Sequence, residues 1–256
     1  MLARSYGAVG AQVGDEVTAL SDAQIEMLGE DYNTPIHLRE APEIAGGAVN
    51  QRAHRAAPTA QFDAQGAIVV DDLLTPDALD SLQRFLLEST IWHDFSHIDG
   101  FVASYLEDGL ACPLLLQIAD ELRRAFPDIL GAHRLSQAWA FKGLRPQSAV
   151  DVHADDAAVS VNFWVTPTHA NLKPERGGLV VCRTPPPADW TITDYAADQQ
   201  RIVTFLAQKA DDSLIAPYRQ NRAVIFRSRL FHHSDRPEFA SEYENHRINL
   251  TLLYGR

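Results

Sequence analysis

The segment Asp151-Val-His153-Ala-Asp155-Asp156 places an imidazole and a carboxylate two residues apart. In an extended chain, residues at i and i+2 project from the same side, so one short stretch can offer both groups to a single ion. Far downstream, Leu230-Phe-His-His233 adds further imidazoles. Two imidazoles and one carboxylate can hold an octahedral ferrous ion by one face, leaving three positions free. Parity alone does not choose between His232 and His233, because a turn can separate the strands around them. Asp156, adjacent to Asp155, points the other way in an extended segment. Arg247 follows in Arg247-Ile-Asn-Leu-Thr-Leu-Leu-Tyr254. Its planar fork donates two parallel hydrogen bonds to one carboxylate and stays charged when desolvated, whereas a lysine would act as a point charge.

These groups need strands to carry them, and from Leu135 onward the hydrophobic period is two. Strands are expected at Ser136 to Lys142, Val150 to His153, Val159 to Thr166, Leu179 to Cys182, Ala223 to Ser228, Leu230 to His233 and Ile248 to Tyr254. Within Val159 to Val165, Ser160, Asn162 and Trp164 share one side and Val159, Val161, Phe163 and Val165 the other. The last strand repeats this alternation, with Arg247, Asn249 and Thr251 set against Ile248, Leu250 and Leu252. One polar face is common in antiparallel sheets. Two such faces beside three potential metal ligands point to a polar cavity instead.

Ahead of the strands lie helices. Thr75-Pro76-Asp77 announces a helix running to about Ser89, with Leu79, Leu82, Phe85 and Leu86 on one face, and Pro113 to about Phe126 repeats the pattern. A strand and turn at 66 to 74 precedes them. Ser21 and Gln24 have capping-box spacing before a short helix, and Asp194 to Gln208 reads as a helical insertion. We therefore expect one domain: an N-terminal arm or lid over residues 1–60, a helical flank over 61–134, and a β core over 135–256. Many short strands preceded by helices argue for a sandwich or barrel, mostly β with flanking helices.

Composition narrows the function. The net charge of −12 repels phosphate backbones and anionic headgroups, so neither nucleic acid nor a membrane surface is an expected partner. Basic clusters such as Gln51 to Arg55 and Arg227 to Arg229 read as ordinary surface. No stretch approaches a membrane span and the first residues lack the apolar core of a secretory signal. With only Cys112 and Cys182, the chain has neither a disulfide framework nor a zinc knuckle, and Cys182, at the end of an apolar run, is expected to be buried. A cytoplasmic setting is expected. The oligomeric state is not written in the strand pattern.

Taken in order, His153/Asp155, Phe226…Leu230-Phe231-His232 and Arg247 resemble the iron(II)- and 2-oxoglutarate-dependent oxygenases of the prolyl-hydroxylase-like branch, over roughly residues 136 to 256. The resemblance implies a double-stranded β-helix, the jelly roll of cupin-like proteins. It selects His232 over His233 as the distal ligand and makes His153, Asp155 and His232 the Fe(II) ligands. Arg247 becomes the anchor for the far carboxylate of 2-oxoglutarate, with Asn162 and Asn249 beside the co-substrate, and O2 the third reactant. Members that transfer halogen replace the carboxylate with a small residue, so Asp155 implies hydroxylation or a related oxidation. The implied substrate is a small metabolite, such as an amino acid or natural-product intermediate. A protein side chain is the alternative, as is a non-catalytic metal-binding jelly roll; a cupin-like isomerase would have no need of Arg247. The remaining histidines, His37, His54, His93, His97, His133, His169 and His246, have no ligand partner at short spacing.

Overall fold

The computed structural model describes residues 9, 19–28, 35–52, 59–96, 100–209 and 212–255. Much of the expected arm or lid, together with His54 and His97, lies outside the described residues. Among the described helices are α1 (Asp22–Leu28), α2 (Thr59–Gln65), α3 (Pro76–Glu88), α4 (Pro113–Ala125), α5 (Pro127–Leu130), α6 (Ile192–Ala196) and α7 (Gln199–Leu206). The strands are β1 (Ala67–Val70), β2 (Phe101–Tyr105), β3 (Leu135–Gly143), β4 (Val159–Trp164), β5 (Leu179–Cys182), β6 (Ser213–Ala216), β7 (Ala223–Arg227), β8 (His232–Ser234) and β9 (Ile248–Tyr254). No described helix is long and apolar enough to cross a membrane.

Six strands form an antiparallel sheet in the order β1-β7-β4-β9-β3-β2, and three form a second sheet, β6-β5-β8. From β3 onward the chain alternates between them. After β3 it crosses to a bridge at His153 against β8, returns as β4, crosses as β5 and β6, returns as β7, crosses as β8 and returns as β9.

The alternation of apolar residues decides what each face of the large sheet meets. Val161, Phe163, Leu250 and Leu252 point to one side and share a core with Leu82, Phe85 and Leu86 of α3 and Leu115, Ile118 and Leu122 of α4. Both helices begin with proline, whose fixed φ suits the first turn and whose missing N–H costs nothing there. On the other side, Trp164, Val224 and Phe226 meet Leu179 and Val181 of the small sheet. The polar residues Ser160, Asn162, Arg247, Asn249 and Thr251 share that inner side and are buried between the sheets. The face that sequence reads as polar is therefore an enclosed one.

Several elements differ from expectation. The run Val150 to His153 forms only a bridge, and Leu230 to His233 shortens to β8, because Leu230 closes a turn onto Arg227 through its backbone N–H. The insertion at 194–208 is two helices. The side chain of Asp198 accepts a hydrogen bond from the Arg201 N–H and starts α7, while Thr191 and Asp194 form a reciprocal cap on α6. Strands β2 and β6 add to those that periodicity predicts. Cys182 is half-buried rather than buried.

Gly177 and Gly178 lead into β5. Gly177 has φ +81°, and a Cβ on Gly178 would fall 1.9 Å from the Ala216 carbonyl oxygen. Backbone contact this close admits no side chain. We predict that Gly178→Ala lowers stability by at least about 2 kcal/mol, read as a reduced urea midpoint at unchanged slope.

Candidate metal centre and carboxylate pocket

The donors nearest each other come from a loop and the start of one strand. Reciprocal backbone hydrogen bonds between His153 and His232, at 3.0 and 2.8 Å, join the loop before β4 to the start of β8. Further bonds pin the same loop. The N–H of Asp155 donates to the Ser228 carbonyl at 2.9 Å, that of Ala154 donates to the Tyr195 carbonyl at 2.9 Å, and the Gln199 side chain donates to the Val152 carbonyl at 2.8 Å. The helical insertion therefore works as a brace. Tyr195 of α6 and Ile202 of α7 pack on Ala154 and Phe231, one from each ligand-bearing segment.

With the backbone fixed, His153, Asp155 and His232 converge, and one donor atom from each lies within 4.8 Å of the other two. Nε2 of His153 is 3.6 Å from Oδ1 of Asp155, and Nε2 of His232 is 3.5 Å from Oδ2. Neighbouring ligands of an octahedral ion with bonds near 2.1 Å sit about 3 Å apart, so the two imidazole–carboxylate distances are about half an ångström longer than in a closed site.

The protonation pattern suits this. Nδ1 of His153 lies 2.8 Å from the Asp151 carbonyl, and Nδ1 of His232 lies 2.9 Å from the Leu230 carbonyl. A carbonyl only accepts, so both Nδ1 atoms carry a proton, and it is the Nε2 atoms that face Asp155. Burial, helped by the neighbouring His153, pushes His232 down to about 4 despite the opposing pull of Asp155. It is neutral at neutral pH, as a ligand must be. Asp155 is buried and accepts from the Ser160 hydroxyl at 2.8 Å; the Ser228 hydroxyl sits 2.9 Å beyond.

His233 is half-buried with Nδ1 2.9 Å from the Ser234 carbonyl, and it stays out of the cluster. Asp156 is exposed and accepts from the Tyr195 hydroxyl at 3.3 Å. None of the described His37, His93, His133, His169 and His246 joins a cluster of metal donors.

Arg247 borders the same cavity as His153 and His232, together with Asn162 and Asn249. Its Nε donates to the Gly177 carbonyl at 2.9 Å, Nη1 to Asn249 Oδ1 at 2.8 Å and Nη2 to the Gly178 carbonyl at 3.4 Å. No carboxylate pairs with it among the described residues. Burial lowers Arg247 to about 10, partly opposed by Tyr218, which leaves it cationic at neutral pH. A buried, unpaired guanidinium calls for an anion. Beside it, Asn162 donates to Thr251 Oγ1 at 2.8 Å, and its own Oδ1 is buried without a partner. The open space amounts to about 30 Å³. That holds about two waters.

Ser160, Ser228 and the two glycine carbonyls have no signature of their own in the sequence. Only the alternation of Ser160 with Val159 and Val161 marks it as facing inward.

Two outcomes follow. Ser160→Ala should weaken divalent-metal affinity about 10- to 100-fold, measured by calorimetry with Ni(II). Because His232 titrates lower when folded than its ordinary 6.5, the unfolded chain binds more protons between about pH 6.5 and 4. The metal-free protein should lose stability as pH falls through that window, by on the order of 3 kcal/mol from this group. His232→Gln should lack that component of the slope.

No protein-family model matches the sequence, and no curated protein matches it. Solved structures do. The non-heme alpha-ketoglutarate-dependent epimerase SnoN from nogalamycin biosynthesis superimposes with TM-score 0.55 at 14% identity, covering 80% of this chain and 84% of that one. HygX from Streptomyces hygroscopicus, solved with nickel and 2-oxoglutarate bound, gives 0.54 at 14% identity, covering 77% and 85%. A prolyl-4-hydroxylase from Pseudomonas putida gives 0.50 at 16% identity, covering 77% and 96%. At such identities the likeness concerns the scaffold: this chain shares the fold of these proteins, which include non-heme 2-oxoglutarate-dependent enzymes.

Proposed function

We propose that the protein is an iron(II)- and 2-oxoglutarate-dependent dioxygenase that hydroxylates a C–H bond of a small molecule. The observation that carries this reading is one cavity bordered at once by His153 and His232, which cluster with Asp155, and by a buried Arg247 that no carboxylate pairs with among the described residues. A metal site alone would fit many hydrolases or isomerases. A metal site facing a buried guanidinium fits a chelating dicarboxylate. HygX, solved with nickel and 2-oxoglutarate, shares the scaffold. The alternation between two antiparallel sheets supports a double-stranded β-helix, with one oxygenase domain formed by the helical flank and the β core.

His153, Asp155 and His232 would hold the ion by one face and leave the opposite face for ligands. Iron(II) with 2-oxoglutarate and O2 supplies an oxidant able to hydroxylate an unactivated C–H bond, with succinate and CO2 as co-products. The chain itself orients and excludes. Ser160 holds Asp155 in place, the two carbonyl acceptors fix the imidazole tautomers, and Arg247 takes the far carboxylate as a forked pair with Asn249 beside it. Asn162 Oδ1 is an acceptor without a partner, suited to a hydroxyl or N–H of a bound molecule. Walls of Trp139, Phe141, Val150 and Leu179 keep water scarce.

Protein purified without oxygen, given Fe(II) and 2-oxoglutarate and then air, should form succinate. Asp155→Ala should abolish this by removing a ligand. Arg247→Leu should weaken 2-oxoglutarate binding about 100-fold while leaving metal affinity within a fewfold. Absence of both succinate formation and 2-oxoglutarate binding at every metal loading would refute the assignment.

A further inference from the structure

Resting on that function, we propose that Lys142 positions Arg247 for the co-substrate by clasping the turn that leads into it, from the face of the large sheet opposite the cavity. Ala140 and Ile248, which share that face with Lys142, belong to the core on the helix side. The register sets Lys142 against both ends of the turn. By its main chain Lys142 pairs with Ile248, and the next N–H, that of Gly143, donates to the Arg247 carbonyl at 2.9 Å. By its side chain Lys142 reaches Tyr243, which opens the short 3₁₀ turn Tyr243–Asn245 before β9, with Nζ 3.2 Å from the ring centroid. Two neighbouring residues of β3 thus grip the segment that carries the guanidinium.

Burial sets a condition on this lysine. It is 2% exposed, its Nζ has no hydrogen-bond partner, and no charged group shifts its titration. An ammonium removed from water in this way is costly, and an apolar side chain of the same volume would avoid the cost. What the cation has instead is rings, Tyr243 against it and Trp92 at 5.9 Å. Attraction between a cation and an aromatic face is strongest where water is excluded. Burial lowers the amine to about 8, which leaves most of it cationic at neutral pH.

The turn has little else to hold it. Ser241 to Glu244 are exposed. Its other tethers include the Tyr243 hydroxyl, which donates to the Leu87 carbonyl near the end of α3 at 2.7 Å, and the His246 carbonyl, which accepts from Thr166 Oγ1 at 2.8 Å. Arg247 follows directly. A forked contact with a carboxylate demands a fixed geometry, and a displacement of about 1 Å would weaken it. A clasp just before Arg247 therefore bears on how well the guanidinium is aimed.

The test titrates Ni(II)-loaded variants with 2-oxoglutarate by calorimetry. Lys142→Met keeps the volume and removes the charge. It should bind 2-oxoglutarate about fivefold more weakly with Ni(II) affinity unchanged, and its urea midpoint should be no lower than that of wild type because a buried charge is gone. A lysine that only supported the fold would lower the midpoint and leave the affinity alone. Tyr243→Leu should show the same fivefold loss, and the Lys142→Met/Tyr243→Leu double variant no more than either single one. Tyr243→Phe, which keeps the ring and loses the hydroxyl, should stay within about twofold. Wild-type affinity for 2-oxoglutarate in Lys142→Met, an equal loss of Ni(II) affinity, or losses that multiply in the double variant overturns the proposal. Failure of wild type to bind 2-oxoglutarate strikes the oxygenase assignment, whereas amide hydrogen exchange over residues 241–248, expected to quicken in Lys142→Met, still decides the clasp.

Discussion

The pair of backbone hydrogen bonds between His153 and His232 is the constraint on which the site depends. It fastens two segments distant in sequence so that their imidazoles come to one point, with ring centroids 4.3 Å apart. Neither segment could hold this position alone. The loop before β4 is too short of partners to be a strand, and β8 has only three residues. Both are therefore secured from outside, by β5 on one side of β8 and by α6 and α7 against the loop. Because the bond is between main chains, it leaves both side chains free for a ligand.

The second constraint is electrostatic. A guanidinium, an amide oxygen without a partner and the imidazoles of His153 and His232 border one cavity, with the buried Asp155 beside them. Burying such groups without partners is costly, and a fold with no use for them would gain by replacing them with apolar residues. The protein spends some of the stability of the core formed by α3, α4 and the large sheet on keeping these groups available. The glycine pair before β5 adds to this, since its carbonyls accept from Arg247 and hold the guanidinium at the cavity.

How much of this can be read from residues alone depends on the kind of signal. Strands β5 and β9 have the predicted bounds because each is a short apolar or alternating run with clear edges. Strand β2 gives no such signal because four of its five residues, Phe101 to Ala103 and Ser104, are buried and show no alternation. Strand β6 is silent because Ser213 to Ala216 is a half-exposed edge that, among the described residues, pairs with β5 alone. The split between α6 and α7 lies in Asp198, an N-cap that sequence alone could equally place inside one helix. His153, Asp155 and Arg247 stand out by type and spacing, and geometry then separates His232 from His233. Ser160 and Ser228 carry no local signature, since their contacts with Asp155 and with each other arise only where segments distant in sequence meet.

The central claim is that one small dicarboxylate bridges the metal cluster and Arg247, and thermodynamic coupling tests it most directly. Calorimetric titration of 2-oxoglutarate into wild-type protein, with and without saturating Ni(II) in the absence of oxygen, compares the two affinities. Chelation predicts that the metal raises the affinity at least about tenfold, with the reciprocal gain in metal affinity when 2-oxoglutarate is present. Equal affinities with and without metal would mean that the two ends of the cavity do not share a ligand, and would contradict a bridging dicarboxylate.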